Sequence, residues 1–220
     1  MTLVKICGIT NLEDAFEAVE AGADALGFNF YPASPRYIQP GEARRIIDDL
    51  GKQVLTVGVF VNEDSPETVE SMAKEGGVTA LQLHGDESPE FCAALSRRYL
   101  IKVLAVIEDF DPDLALAYKV QAFMVDAFDK KARGGTGRTV DWSIAMKLKS
   151  IVPRLFLAGG LSPENVTEAI SKVRPYAVDV CSALELSPGR KDKERMRAFV
   201  RAVRTFDSAQ SNFLLNLDSP

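Results

Sequence analysis

Cysteine, histidine and tryptophan are scarce in this chain of 220 residues, which contains three cysteines, one histidine and one tryptophan. Cys7, Cys92 and Cys181 show no C-x-x-C spacing, which argues against a zinc site or a disulfide framework. Because His84 is the single histidine, a relay between two imidazoles is excluded and proton transfer must use cysteine or carboxyl groups. The chain also lacks a Walker A motif and the G-x-G-x-x-G fingerprint of dinucleotide-binding folds.

Long apolar runs and an excess of positive charge are also missing. No segment approaches membrane-spanning length, and residues 1–5 have no basic region followed by an apolar one, so we expect neither a transmembrane helix nor a signal peptide. The 26 Lys and Arg residues against 31 Asp and Glu residues give a net charge of −5, without a basic stripe. This balance disfavours a nucleic acid or an anionic membrane as partner. We expect a soluble globular protein of the cytoplasm.

Eight short apolar runs of strand length alternate with amphipathic segments of helical period. The runs are Leu3–Cys7, Ala25–Phe30, Val54–Val61, Ala80–Leu83, Ile101–Val106, Ala122–Asp126, Leu155–Ala158 and Ala177–Cys181. The unbroken apolarity of Val54–Val61 is typical of a parallel strand with both faces covered. Ser65, Ser88 and Ser162 each precede a proline, a pair that predicts a capped helix start.

Eight strand–helix units fit either a doubly wound sheet or a closed barrel. Doubly wound sheets usually stop near five or six strands, so the repeat predicts a single-domain α/β fold, a (β/α)8 TIM barrel over residues 1–206. The last helix is expected near Lys193–Phe206, which leaves residues 207–220 as a C-terminal tail outside the repeat. The apolar cluster Phe213–Leu215 in this tail either docks on the surface or frays.

The active site of such a barrel lies at the carboxyl ends of its strands. Small and glycine residues follow strands six, seven and eight, where backbone amides and a helix N-terminus commonly hold a phosphate. The candidate phosphate-binding residues are Gly135, Gly137, Gly159, Gly160, Ser182 and Ala183. The alternative is that the Gly159–Gly160 pair only forms a tight turn.

Two residues that end strands are candidates for acid–base chemistry. Cys7 ends the first strand, and its thiolate is a competent base only if its pKa is lowered. A free cysteine is more often a small buried apolar residue. Asp126 ends the sixth strand, where a carboxyl group is either desolvated and able to donate a proton or held as a structural anion.

Three further polar residues are candidates for substrate binding. Arg36 lies in the loop after the second strand, and its guanidinium suits bidentate recognition of a carboxylate, although loop arginines are more often solvated. Asp179 in the eighth strand allows the same two interpretations as Asp126 and is a candidate contact for sugar hydroxyls. His84 follows the fourth strand and, taken alone, is more often structural.

Seven motifs in this order resemble those of the phosphoribosylanthranilate isomerase family of tryptophan biosynthesis, over about residues 3–205. They are Lys5–Ile9, Ser34–Tyr37, Gln82–Gly85, the strand ending in Asp126, Gly134–Gly137, Leu157–Leu161 and Ser187–Asp192. The resemblance implies an Amadori rearrangement of N-(5-phosphoribosyl)anthranilate to 1-(2-carboxyphenylamino)-1-deoxyribulose 5-phosphate. It implies a phosphosugar substrate, no metal and no cofactor, and a monomer or a homodimer.

The resemblance also implies a role for each candidate residue. Asp126 would be the general acid that protonates the furanose ring oxygen, and Cys7 the general base that removes the C2 proton. Arg36 would hold the anthranilate carboxylate, with His84 and Asp179 completing the substrate-binding set.

One residue departs from the family pattern, because Ala183 stands where the family usually has glycine. Alanine is restricted at positive φ, so a left-handed backbone there would weaken phosphate binding. We expect the alanine to be tolerated, since its N–H remains available.

Other phosphate-binding barrels are rival interpretations. Indole-glycerol phosphate synthase would need a catalytic lysine at a strand end, whereas Lys5 alternates with Cys7 toward the barrel interior. The related histidine-pathway isomerase would pair two aspartates, whereas the residue on the first strand is Cys7. A barrel that binds a phosphorylated ligand without turnover would not need Cys7, Asp126 and Arg36 together.

Overall fold

A computed structural model describes residues 1–105, 110–126 and 142–217 of the chain. Eight parallel strands form a closed barrel in which each strand pairs with the next and the eighth pairs with the first. The strands are β1 (Leu3–Cys7), β2 (Ala25–Asn29), β3 (Leu55–Phe60), β4 (Ala80–Leu83), β5 (Tyr99–Ala105), β6 (Ala122–Asp126), β7 (Leu155–Ala158) and β8 (Ala177–Val180). The predicted barrel is confirmed, and each strand lies within two residues of its predicted limits.

Helices connect the strands and cover the outside of the barrel. They are α1 (Leu12–Glu20), α2 (Pro40–Leu50), α3 (Pro66–Gly76), α4 (Pro89–Ala94), α5 (Ser143–Ile151), α6 (Val166–Val173) and α7 (Lys193–Leu217). A 3-10 helix, Pro112–Ala117, lies between β5 and β6. No helix within the three described ranges is long and apolar enough to cross a membrane.

The predicted helix starts are confirmed at two serines and wrong at the third. Ser65 and Ser88 each accept a hydrogen bond from a backbone N–H of the first turn of α3 and α4. Helix α6 instead begins at Val166 after the N-cap Asn165. The side chain of Asn165 accepts a hydrogen bond from the backbone of Ser162 at 2.8 Å, so a separate turn precedes the helix.

The last helix extends beyond its predicted end at Phe206 and continues to Leu217. The predicted end was therefore wrong, since residues 207–217 continue the helix without a break. The cluster Phe213–Leu215 lies in this helix, but its side chains are outside the described part of the structure. The assignment of residues 207–220 as a tail outside the repeat stays a prediction.

Alternation along each strand separates the barrel interior from the layer beneath the helices. Val4 and Ile6 pack outward in the larger apolar core, whereas Lys5 and Cys7 occupy the inward positions of β1. Apolar residues such as Val57, Ile101, Met124 and Phe156 fill the interior at the other strands. Lys5, Gln82 and Asp179 are buried polar residues, so the barrel lumen becomes polar toward the carboxyl ends of the strands.

A short antiparallel hairpin follows the barrel and precedes α7. Its strands are β9 (Glu185–Ser187) and β10 (Arg190–Lys191). The backbone N–H of Lys191 donates to the buried carboxylate of Asp14 at 2.8 Å, and the Thr10 hydroxyl donates to the Gly189 carbonyl at 2.5 Å. These contacts attach the hairpin to the start of α1, next to the end of β1.

Candidate active site

The Cys7 thiol lies at the carboxyl end of β1, almost fully buried and directed into the barrel. The facing residue on β2 is Gly27, where an added Cβ would lie 2.7 Å from the Cys7 sulfur and 3.1 Å from the Lys5 nitrogen. The close approach of the thiol to the neighbouring strand therefore requires glycine at this position.

Several groups favour the charged form of Cys7. The hydrogen bond with Cys181 makes the largest contribution, and together with the positive charges of Lys5 and Lys191 it outweighs burial and the negative charge of Asp179. The pKa of Cys7 is lowered to about 6, so this sulfur is a thiolate at neutral pH. The hydrogen bond with Cys7 and burial raise the pKa of Cys181, which stays a neutral thiol.

Lys5 and Asp179 form a buried ion pair below the Cys7 thiol. The strand register places the two residues opposite each other on β1 and β8, with Lys5 Nζ 2.6 Å from Asp179 Oδ1. Burial alone lowers the pKa of Lys5, but the charges of Asp179 and Cys7 raise it overall, so the ammonium keeps its charge. The ion pair thereby holds Lys5 in the barrel floor. It does not occupy the position of the catalytic lysine that an indole-glycerol phosphate synthase would need.

Asp126 is the last residue of β6, and His84 directly follows the end of β4. Along the ring β6, β7, β8 and β1 are successive neighbours, so Asp126 and Cys7 are three strands apart. The His84 Nδ1 atom lies 3.2 Å from the amide nitrogen of Gln82. Although His84 is exposed at the mouth, partial burial lowers its pKa against the opposing charges of Asp126 and Asp179. Both carboxylates are therefore close enough to the imidazole to oppose the effect of burial on its pKa.

Arg36 extends from the loop after β2 and binds Glu185, so it is not the solvated surface arginine of the alternative interpretation. Its Nε and Nη2 atoms donate to the Glu185 carboxylate at 2.8 and 2.6 Å. Gly8 adopts φ +76°, and an added Cβ there would lie 2.7 Å from Arg36 Cδ and 3.0 Å from the Cys181 sulfur. Glycine is therefore required beside Cys7 both for its left-handed backbone and for the approach of the arginine.

The candidate phosphate-binding residues lie after the neighbouring strands β7 and β8. Gly159 and Gly160 have φ values of +89° and +65°, which side-chain-bearing residues rarely adopt. Ser182 and Ala183 belong to a short 3-10 helix, Ser182–Leu184, and Ala183 does not have a positive φ. The left-handed conformation that alanine would resist is therefore not needed there. Gly135 and Gly137 lie outside the described residues.

Three residues of this site were missed as functional candidates by sequence reasoning: Lys5, Glu185 and Cys181. Lys5 was assigned only an inward direction, and Cys181 was considered only in the argument against a zinc or disulfide site. Alternating polarity in β1 was the available signal for Lys5, because a lysine at an inward strand position needs a buried partner. For Glu185 and Cys181 the sequence offers no comparable periodic signal. Over residues 1–105, 110–126 and 142–217, no group of three metal-ligating side chains is found.

Comparison with known proteins gives one consistent family. The family model described as N-(5'phosphoribosyl)anthranilate (PRA) isomerase matches residues 4–202. Over 204 residues the chain is 50% identical to the N-(5'-phosphoribosyl)anthranilate isomerase of Geobacter sulfurreducens, which covers 93% of this chain and 99% of the relative.

Two solved structures of the same kind of enzyme are similar in fold. One shows mutually generated monomers of the dimeric phosphoribosylanthranilate isomerase from Thermotoga maritima, with 43% identity, a TM-score of 0.83 and coverage of 93% of this chain and 100% of that chain. The other, in complex with reduced 1-(o-carboxyphenylamino)-1-deoxyribulose 5-phosphate, has 44% identity, a TM-score of 0.83 and the same coverage. Because the family model and close relatives match almost the whole length, the chain belongs to the N-(5'-phosphoribosyl)anthranilate isomerase family.

Proposed function

We propose that this chain isomerises N-(5-phosphoribosyl)anthranilate with Cys7 as the general base and Asp126 as the general acid. Membership of the family assigns the reaction, an aldose–ketose isomerisation in tryptophan biosynthesis. The observation that carries the residue roles is the position of the Cys7 thiol at the carboxyl end of β1, close to the Lys5 ammonium that helps to lower its pKa, at the mouth that Asp126 also borders.

We assign separate groups of residues to the carboxylate end and to the phosphate end of the substrate. Arg36 binds the anthranilate carboxylate through its guanidinium. The backbone amides of Gly159, Gly160, Ser182 and Ala183 bind the phosphate, with Gly135 and Gly137 assigned to the same site. His84 and Asp179 line the opening between these two anchors and contact the sugar. Two anchors at opposite ends hold the sugar in one orientation, which lowers the entropic part of the barrier.

The first step opens the sugar ring. Asp126, in its protonated form, transfers a proton to the furanose ring oxygen, and the bond between that oxygen and C1 breaks. The lone pair of the anthranilate nitrogen forms a C=N bond to C1, so the product of this step is a protonated Schiff base with Asp126 as carboxylate.

The second step moves the double bond. The Cys7 thiolate removes the proton from C2, and the electron pair of the C–H bond forms a C1=C2 bond while the nitrogen regains its lone pair. The resulting enolamine takes up a proton at C1 and loses the proton of the C2 hydroxyl, which gives the ketone. A general base and a general acid in position each contribute about 10²–10⁴-fold to the rate.

Single substitutions at the two catalytic residues test this assignment. Cys7→Ser and Asp126→Asn should lower kcat by at least about 10²-fold, because each removes one proton-transfer group. Both variants should still bind the reduced product analogue with an affinity near that of the unchanged protein. Conversion is followed by the fluorescence of the substrate and binding by calorimetry.

The matched control for the thiol is Cys92→Ala, since Cys92 is buried in α4 and burial raises its pKa to about 11. Full turnover by Cys7→Ser would refute the general-base role. Loss of analogue binding together with turnover would instead indicate a damaged site.

We also propose a phosphosugar as the small-molecule substrate, with no nucleic acid or membrane as partner, and the cytoplasm as location. The monomer or homodimer expected from the sequence stays a prediction. One relative of 43% identity is described as dimeric, and sedimentation velocity at several concentrations decides the state of this chain.

A further inference from the structure

Glu185 lies at the start of β9 with its carboxylate almost completely buried, 4% of the side chain being exposed. Its Oε1 atom accepts from Arg36 Nε at 2.8 Å, from Lys191 Nζ at 2.9 Å and from the Gly189 amide at 3.3 Å. Its Oε2 atom accepts from Arg36 Nη2 at 2.6 Å. Both carboxylate oxygens are therefore fixed by the hairpin and by the arginine.

The three charged groups form one cluster, which we call the arginine clamp and define as Arg36, Glu185 and Lys191. The Lys191 side chain has no exposed surface and also donates to the Cys181 carbonyl at 3.3 Å. Two cations around one carboxylate leave the clamp with one net positive charge. Burial disfavours the Glu185 anion, but its hydrogen bonds with Arg36 and Lys191 lower its pKa overall, so Glu185 stays a carboxylate.

The contacts of Arg36 use only one edge of its guanidinium. Glu185 takes the N–H of Nε and one N–H of Nη2, which leaves the edge formed by Nη1 and the second N–H of Nη2. Among the residues that the structure describes, none accepts a hydrogen bond from Nη1. A planar guanidinium can bind two carboxylates at once, one along each edge.

We propose that Glu185 is a positioning residue that fixes Arg36 by one edge so that the other edge receives the substrate carboxylate, with Lys191 holding Glu185 in place. This inference rests on the proposed function, in which Arg36 binds the anthranilate carboxylate. An arginine has many rotamers, and the Glu185 contact selects one of them before the substrate arrives.

The clamp also lies within electrostatic reach of the Cys7 thiolate. The hydrogen bond with Glu185 is the largest cause of the raised pKa of Arg36, and the charge of the Cys7 thiolate adds to it. Glu185 offsets one positive charge of Arg36 close to this thiolate.

Two stable ligands separate positioning from general damage: the reduced product analogue, and the same analogue with the ring carboxylate replaced by hydrogen. Glu185→Gln keeps the shape of the side chain and removes its charge. We expect this variant to bind the carboxylate-bearing analogue about tenfold more weakly, since a charge-assisted contact is worth at least one factor of ten. Binding of the analogue without the carboxylate should change less than twofold.

Glu13→Gln is the matched control, because exposed Glu13 pairs with Arg190 of the same hairpin outside the clamp. This variant should bind both analogues like the unchanged protein. In turnover, Glu185→Gln should raise KM more than it lowers kcat. If Glu185→Gln fails to fold, Glu185→Asp withdraws the carboxylate by one methylene group and should show the same selective loss.

The outcomes distinguish this inference from the proposed function. Equal weakening of both analogues in the Glu185 variants, or no weakening, overturns the positioning role. Arg36→Met should abolish the preference for the carboxylate-bearing analogue. If Arg36→Met keeps that preference, the assignment of Arg36 itself is wrong. If Arg36→Met loses the preference and Glu185→Gln retains it, only the positioning role fails.

Discussion

The effect of the Cys181 thiol on the pKa of Cys7 predicts a specific change in the pH dependence of catalysis. The Cys181→Ala substitution removes the largest cause of the lowered pKa of Cys7 and keeps the charges of Lys5 and Lys191. The pKa of Cys7 should rise, and the acid limb of the kcat/KM profile should move to higher pH, because that limb reports the free enzyme's base.

The size of the effect follows from the strength of the lost contact. A hydrogen bond to a charged group is worth about 1.5–3 kcal/mol, which corresponds to roughly a 10- to 100-fold change in an acid dissociation constant. With a pKa of about 6, Cys7 is about 90% thiolate at pH 7 in the unchanged protein. We therefore expect kcat/KM at pH 7 to fall about two- to tenfold and to recover as the pH approaches 9.

The assay is the fluorescence-detected conversion of substrate between pH 5 and 9.5, a range set by ordinary thiol titration. Cys181→Ser keeps a donor at the same position and should retain most of the original profile. An acid limb that stays in place in Cys181→Ala, with folding intact, would refute the assigned cause of the lowered pKa. The charges of Lys5 and Lys191 would then have to account for it.

Two further substitutions test the packing and the ion pair beneath the thiol. Gly27→Ala should lower kcat/KM by about 10²-fold, because the added Cβ would lie 2.7 Å from the Cys7 sulfur and displace it. The matched control in steady-state kinetics is Gly41→Ala, where the nearest contact of the added Cβ is 3.6 Å. Lys5→Met should lower the free energy of unfolding in urea by about 3–5 kcal/mol, because it leaves the buried Asp179 carboxylate unpaired. Normal activity of Gly27→Ala, or a loss below about 1 kcal/mol in Lys5→Met, would contradict the respective argument.

Local patterns in the sequence were sufficient for the architecture. Eight short apolar runs predicted the strands to within two residues, since strand periodicity and helix caps depend on neighbouring residues. The same local signals failed at two helix ends. Ser162 stands before a turn in which Asn165 is the cap, and α7 continues past Phe206 because residues 207–217 contain neither glycine nor proline.

The chemistry of the mouth depends on contacts that no local pattern contains. Lys5 and Asp179 are 174 residues apart in sequence, and Arg36 and Glu185 are 149 apart. They meet because closure of the barrel places β8 beside β1 and the hairpin after β8 beside the loop of β2. The residue types at the strand ends were therefore readable from the sequence alone. The tertiary structure alone determined which residues these side chains contact. It thereby also set the charge state of Cys7 and the orientation of Arg36, because electrostatic shifts depend on distance and burial in three dimensions.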